Sequence, residues 1–520
     1  MIPALHSAMD LDLPSRIARL MITNSPPSES ETSEILDLID VRKKNIAILE
    51  LDIAPLVMRR DALARSTHSL SLLLSATRTL PFDVLGQIFR ETVDLTGDPW
   101  TLSYISRRWR ATAIECPELW TSIDIDHSAS NPMLRPSDYP LEKLQTLLTR
   151  STTHPLSIRF CTVARSFDQP TFSPHADRVL GALIGCSSRW MTVFIRCTKH
   201  TFPLLAQVQG RLPILRTLAM DLCLDRFQLD AFDTAPQLRS LDLFGSVMLH
   251  TPRPCLLLPW AQITRYSCDF GFWEDQIAAL ESLVNVRECR LIMANWVDNE
   301  HAGLLICPAL RRLYVAPGDL EFTAPLLEEL VIEPLKMTPP PDTLRNLCSL
   351  IRRSACQLTK LCLIAAIPSI HDVSKLITAL GLLPSLVELC VQSRRAHETT
   401  RLDDLVTSLG ATTPYLLPRL EALTFGGYVF LHWSALVDML ETRRNANPTG
   451  SGVLRAFSLF HIRRIPHPIP PNELQRLDVL RLAGLDLTDM EGTGAREAMV
   501  GVPFFNAGIS DGEFWAPETT

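Results

Sequence analysis

The strongest constraint on this 520-residue chain is a short template, apolar-x-x-apolar-x-apolar, that recurs from Trp190 onward. Copies begin at Trp190, Leu215, Leu238, Ile263, Val286, Leu310, Leu327, Leu358, Leu386, Leu420, Leu454 and Leu477. Typical ones read Leu238-Arg-Ser-Leu-Asp-Leu243, Leu310-Arg-Arg-Leu-Tyr-Val315 and Leu386-Val-Glu-Leu-Cys-Val391. The alternation inside each copy predicts a short strand with one face turned inward. A single copy cannot bury that face alone, whereas a stack of neighbours shares one continuous core.

The intervals between copies are 25, 23, 25, 23, 24, 17, 31, 28, 34, 34 and 23 residues, most of them at or near the period of a leucine-rich repeat. A proline stands two residues before the template in six copies, at Pro213, Pro236, Pro308, Pro325, Pro384 and Pro418. The Asn or Cys that leucine-rich repeats place after the strand occurs only at Cys223, so the turns there are expected to be irregular. The copies of 28–34 residues have room for full helices. The fold class read from this is α/β, with N-terminal helices and a three-helix segment followed by a leucine-rich-repeat solenoid over 188–485.

Composition narrows the function. Lys and Arg total 50 against 57 Asp and Glu, a net charge of −7, which argues against nucleic acid as the main partner. Most of the excess lies in 486–520, where seven acids face the single base Arg496, so this span is read as an acidic tail. The 13 cysteines are scattered singly, many inside apolar runs, as reduced core cysteines are, and a cytoplasmic or nuclear location is expected. The first 20 residues lack the apolar core of a secretory signal, and no run of 18 apolar residues suggests a membrane span.

Residues 1–33 end in the polar, proline-broken stretch Asn24–Ser33 and read as flexible. Over 34–77, Ile35, Leu38, Ile39, Ile46, Leu49, Ile53, Leu56, Leu63, Leu70 and Leu74 recur at spacings of three, four and seven. That predicts an amphipathic, coiled-coil-like helix, kinked or split at Pro55. Its stripe is expected to pack on its own protein; self-association is the alternative, with short and interrupted heptads. Residues 126–187 read as a linker with the first helix-strand units.

The span 78–125 reads as three short helices. Pro81 opens the first, where a missing N–H is harmless. Val84, Leu85, Ile88 and Phe89 make one stripe, and Leu102, Ile105, Ser106 and Trp109 a second. Pro117, Leu119 and Trp120 close the unit. Together with Leu80, Asp83, Arg107, Ala113 and Ile123, these positions resemble the F-box, in the arrangement found in mushroom-forming fungi. There a helical stretch precedes the box and irregular leucine-rich repeats follow. The resemblance implies an adaptor, not a catalyst. Leu80, Pro81, Val84, Leu85, Ile88, Phe89, Leu102, Ile105, Trp109, Pro117, Leu119 and Trp120 would bind a SKP-type adaptor, and through it a cullin–RING scaffold. The repeats would hold a protein substrate, with no cofactor, metal, nucleic acid or membrane involved.

Catalytic signals are weak. No phosphate-loop, dinucleotide, nucleophile-elbow or zincin motif occurs. His461 and His467 flank a basic turn without cysteines, and Asp486, Asp489 and Glu491 lack the glycine of a calcium loop. Arginine doublets, among them Arg311-Arg312, Arg352-Arg353 and Arg443-Arg444, could hold an acidic peptide if clustered, but are more often helix-end charges. The substrate surface expected from the strand alternation includes Asp242, Phe244, Arg265, Arg290, Arg312, Tyr314 and Lys360, with Phe244, Tyr314 and Phe460 as exposed aromatic anchors. The rival reading is a leucine-rich-repeat interaction scaffold with no ubiquitin role, the three-helix segment being a cap.

Overall fold

The computed structural model describes residues 14–20, 23, 25–74, 76–96, 98–126, 140–161, 174–196, 201–221, 229–244, 257–271, 279–293, 305–316, 322–333, 343–364, 370–393, 400–411, 415–427, 429–445, 453–461 and 469–491. The chain divides into two compact units, Met1–Glu91 and Thr92–Thr520. The division falls inside the span that resembles the F-box.

In the first unit, α1 (Ser15–Leu20) and the 45-residue α2 (Glu29–Leu73) precede α3 (Phe82–Thr96), whose last residues belong to the second unit. The sequence around Asn24–Ser33 reads as flexible, yet α2 already starts at Glu29. A capping box explains this. The Ser28 side chain accepts from the Glu31 amide, and the Glu31 carboxylate accepts from the Ser28 amide at 2.8 Å. Hydrogen bonds from Ser28 hold the Glu31 carboxyl below its ordinary value. Pro26 and Pro27 lie just before the cap, where they break nothing. The expected split at Pro55 does not occur, and α2 continues through it as one helix. Nor does α2 bury its stripe: no residue of α2 is buried.

The second unit holds α4 (Pro99–Ile105), α5 (Arg107–Glu115) and a 3₁₀ turn at Pro117–Trp120 that runs into β1 (Ser122–Asp126). Asp98 caps α4 by accepting from the Trp100 amide at 3.0 Å, and Ser106 caps α5 by accepting from the Trp109 amide at 3.1 Å. After β1 come α6 (Leu141–Arg150), β2 (Leu156–Cys161), α7 (Pro174–Ile184), β3 (Trp190–Arg196), β4 (Thr217–Asp221), β5 (Ser240–Phe244), β6 (Arg265–Gly271), β7 (Glu288–Met293), β8 (Arg312–Ala316) and β9 (Glu329–Ile332). From there helices and strands alternate: α8 (Thr343–Ser354), β10 (Lys360–Ile364), α9 (Ile370–Leu380), β11 (Glu388–Ser393), α10 (Asp403–Gly410), β12 (Ala422–Gly427), α11 (Trp433–Asn445), β13 (Ala456–His461), α12 (Pro471–Leu482) and β14 (Asp486–Glu491).

The strands β1 to β14 form one parallel sheet whose spatial order is the order of the sequence. Every connection must then return on the same side of the sheet. The side chains that meet these returns are the template leucines and their partners: Leu218, Leu241, Leu313, Leu330, Leu361, Leu389 and Leu423 are each at most 1–2% exposed. The longer connections bury Leu347, Leu376, Leu405, Leu409, Leu436 and Leu440 from α8–α11.

The prolines set the turn that launches each strand. At Pro236, Pro308, Pro325, Pro384 and Pro418 the first template leucine donates its amide to the carbonyl just before the proline. That is a β-turn with proline at its second position, which needs no N–H and prefers the proline φ. The next amide then reaches the preceding repeat, as in Arg239 N to Arg216 O and Arg311 N to Arg287 O.

Two boundaries differ from the sequence reading. The template copy at Leu477 lies in α12, and the strand follows at β14, inside the span read as an acidic tail. Leu477–Leu482 matches the pattern by chance because a Leu-rich helix also places leucines three and five apart. The sheet also starts earlier, at Ser122. Residues 492–520, Cys223 and His467 lie outside the described residues.

Candidate functional site

The positions that resemble an F-box divide into two groups by burial. Leu85, Phe89, Leu102, Leu119 and Trp120 are between 0% and 5% exposed. Trp120 is locked in place: its indole N–H donates to the Ala113 carbonyl at 2.6 Å, Trp100 meets it edge-on at 5.1 Å, and the Arg150 guanidinium lies 4.3 Å from its ring centre. These side chains are enclosed and are not free to meet a partner. On α3, Phe82, Val84 and Ile88 are 39–42% exposed. In the second unit Tyr104, Ile105 and Ile114 are exposed as well. Pro81 is exposed, while Leu80, Trp109 and Pro117 are half-buried. Phe82, Tyr104 and Ile114 escaped the sequence reading. Their signal was available, since each is a large apolar residue off the buried stripe.

The second candidate surface is the sheet face turned away from the connections. Its side chains stack in register across the strands. One row reads Arg265, Glu288, Arg312, Glu329, Lys360 and Glu388 from β6 to β11, a strict alternation of charge. Arg265 lies 2.9 Å from Glu288, Arg312 lies 3.1 Å from Glu288 and 3.3 Å from Glu329, and Lys360 lies 3.1 Å from Glu388. The row therefore neutralises itself. Arg311 of the same doublet is paired with Glu328.

The next row along the strands is of another character. Ser267, Arg290, Tyr314, Val331, Cys362 and Cys390 are 2–3% exposed. Tyr314, Ala316, Val331, Cys362, Ile364 and Cys390 form a second apolar cluster, with Ile292 packed against it. Tyr314 and Phe460, expected as exposed anchors, are buried at 3% and 8%. Arg290 places its guanidinium 5.3 Å from the Tyr314 ring centre and reaches Ser267 at 3.3 Å, and the Tyr314 hydroxyl donates to Glu333. The reason is in the strands. Leu361-Cys-Leu-Ile364 and Leu389-Cys-Val391 are continuous apolar runs, the pattern of a parallel strand buried on both faces. Of the expected surface, Arg312 and Lys360 remain accessible, and Arg265 and Asp242 partly so. Phe244 ends β5, and its side chain lies outside the described residues.

Burial also governs the thiols. It pushes Cys289 well up and Cys307 to about 11, while Cys362 is raised by its hydrogen bond with Cys390 and then by burial. Such thiols are inert core groups. Among the described residues, no group of three or more His, Cys, Asp or Glu is arranged to hold a metal ion, and no helix is long and apolar enough to cross a membrane.

Several arginines are structural staples that the sequence reading missed. Arg443 is fully buried and donates to the carbonyls of Leu409 at 2.7 Å and Leu417 at 2.8 Å, and also to that of Leu416. Arg189 likewise ties His154 O at 2.9 Å and Ser151 Oγ at 2.7 Å. Arg443-Arg444 does sit at a helix end, but Arg443 serves the preceding turn and Arg444 donates to the later carbonyls of Leu454 and Ala483, which no local pattern reveals.

No family model matches the chain, and no curated protein matches it.

Proposed function

We propose that this protein is the substrate-recognition subunit of an SCF-type cullin–RING ubiquitin ligase. Its F-box-like span would bind a SKP-type adaptor, and its leucine-rich-repeat solenoid would hold a protein substrate. The observation that carries the reading is one of order along the chain. The Leu80–Ile123 pattern leads directly into fourteen parallel strands in sequence order, launched at five repeats by the same proline turn. Such a chain contributes proximity and orientation while the chemistry occurs on its partners. Phe82, Val84 and Ile88 on α3 would offer the adaptor the apolar surface that stays exposed in the first unit, where Leu85 and Phe89 are buried.

The substrate would meet the part of the sheet face that stays accessible, around Arg312 and Lys360. Because that row is internally paired, it favours a ligand of mixed charge over a strongly phosphorylated one.

One observation favours the scaffold reading without a ubiquitin role. The Pro117–Trp120 turn runs straight into β1, with Leu119 and Trp120 buried, as a cap on the first strand would be. Co-purification of the full chain with a SKP-type adaptor separates the two. Stoichiometric adaptor, lost on Ile88→Asp with the fold retained, supports the ligase subunit. Absence of adaptor from the unmodified chain leaves the scaffold.

A further inference from the structure

Among the described residues, the long helix α2 presents an apolar surface with no buried side chain. At 45 residues it is about 67 Å long. None of its residues is buried, and Ile46, Leu49, Ile53, Leu56, Leu63 and Leu70 are 54–64% exposed. A helix this rich in exposed leucine and isoleucine is ordinarily covered, because packing rather than propensity stabilises helices in water.

The pattern on α2 states what covers it. Leu49, Leu56, Leu63 and Leu70 follow one another at intervals of seven. Ile39, Ile46 and Ile53 do the same, with Ile46 and Ile53 each three residues before one of those leucines. The isoleucines thus occupy heptad position a and the leucines position d, the combination that favours a parallel pair of helices. We propose that α2 is one half of a parallel two-stranded coiled coil, the other half being α2 of a second copy of this chain. From Ile35 to Leu74 the seam spans roughly five to six heptads, interrupted at Arg42, Arg60 and Thr67.

The features that interrupt the pattern fit this assignment. Arg42 stands at a d position, and Arg60 and Thr67 stand at a positions. Isolated polar seam residues cost stability but specify register and the number of strands. Pro55 falls at position c, and Leu51, whose carbonyl loses its helical partner to that proline, at position f. Both point away from the seam, so the backbone defect lies on the outer face. The ion pair between Asp40 and Lys44, at 2.7 Å, also occupies outer positions. Within its own unit α2 has no buried residue among the described ones, so neither α1 nor α3 covers the seam.

Sedimentation of the full chain tests the assignment. The expected mass is twice the 58.2 kDa of one chain. Leu49→Asp with Leu56→Asp, which places charges in the seam, should raise the dissociation constant about 100-fold or more with helical content retained. Ile48→Asp with Leu51→Asp, at positions c and f, should leave the dimer intact. A monomer at micromolar concentration, or equal disruption by the outer pair, overturns the proposal. So does a trimeric or tetrameric mass, or a helix paired only with a different protein. Orientation has its own readout. Leu70→Cys should give an oxidised, covalent dimer absent from the parent chain, because parallel helices bring the two cysteines together. An antiparallel pair would hold them about 50 Å apart and yield none.

Discussion

Arg443 lies with its guanidinium 4.2 Å from the ring centre of Tyr415, completely buried between α11 and the turn that launches β12. That turn is strained. Leu417 sits at φ 53°, in the left-handed region that a branched side chain adopts at a cost, and Arg443 holds its carbonyl.

Removing this brace should therefore be expensive. Arg443→Ala would remove the guanidinium donor from the carbonyls of Leu409, Leu416 and Leu417, leaving Leu417 only the Leu420 amide, and a loss of about 3–5 kcal/mol is expected. Arg443→Lys should recover only a part, because one ammonium cannot span three carbonyls. Urea denaturation reads both, and a change below about 0.5 kcal/mol for the alanine variant would remove the brace from the account.

In the F-box-like span, burial separates support from contact. Trp120→Ala should lower stability by about 3–5 kcal/mol whatever the chain binds, since the side chain is fully enclosed. Ile88→Ala, at 42% exposure, should change stability little and weaken adaptor binding by about 2–4 kcal/mol. The two effects are measured by thermal denaturation and by titration calorimetry with a SKP-type adaptor. Equal loss of stability in both variants would place Ile88 in the core and end its assignment to an interface.

The repeat strands were legible because the template joins two local rules, alternation within a strand and proline at the second position of a turn. Both act over six or seven residues, so sequence alone carries them from Trp190 to Leu459. The copy at Leu477 misled because a Leu-rich helix carries leucines on more than one face, with Leu480 buried and Leu482 exposed, and only pairing with β13 decides that Asp486–Glu491 is the strand. The buried second face shows in the continuous run at Leu361–Ile364, where burial on both sides overrides alternation. For the candidate site, the stripe reading groups Val84 and Ile88 with Leu85 and Phe89, and only the packing separates the exposed pair from the buried one. The staple at Arg443 is not legible either, since its partners lie 26–34 residues away in sequence.

The alternating charge row gives a sharper electrostatic test. Arg312 stands between Glu288 and Glu329, so Arg312→Glu would set three carboxylates on adjacent strands. A destabilisation of about 1–3 kcal/mol is expected at low ionic strength, because like charges directly opposite one another repel across a sheet. About 1 M salt should remove a part of it, since Arg312 is 47% exposed while Glu288 and Glu329 are 13% and 15% exposed. If the loss were unchanged by salt, packing of the Arg312 stem and not charge would be its cause.

The thiols predict where alkali acts. Cys307 ionises near 11 in the fold against an ordinary 9.0, because burial penalises the thiolate. A folded-state pKa raised in this way means that the neutral thiol is the form the fold prefers. The associated stability is complete below about pH 9 and is lost as pH climbs from about 9 to 11. For Cys307 alone that amounts to about 2–3 kcal/mol, and Cys289 and Cys362 act in the same direction. At pH 8 the Cys307 thiolate fraction is on the order of one in a thousand. Alkylation at pH 8 should thus modify the half-buried Cys116, Cys186 and Cys348 first among the described cysteines, with Cys307 reacting only after unfolding. Peptide mapping after timed iodoacetamide exposure reads the order, and early modification of Cys307 in the folded chain would show that the sheet core opens locally around β7 and β8.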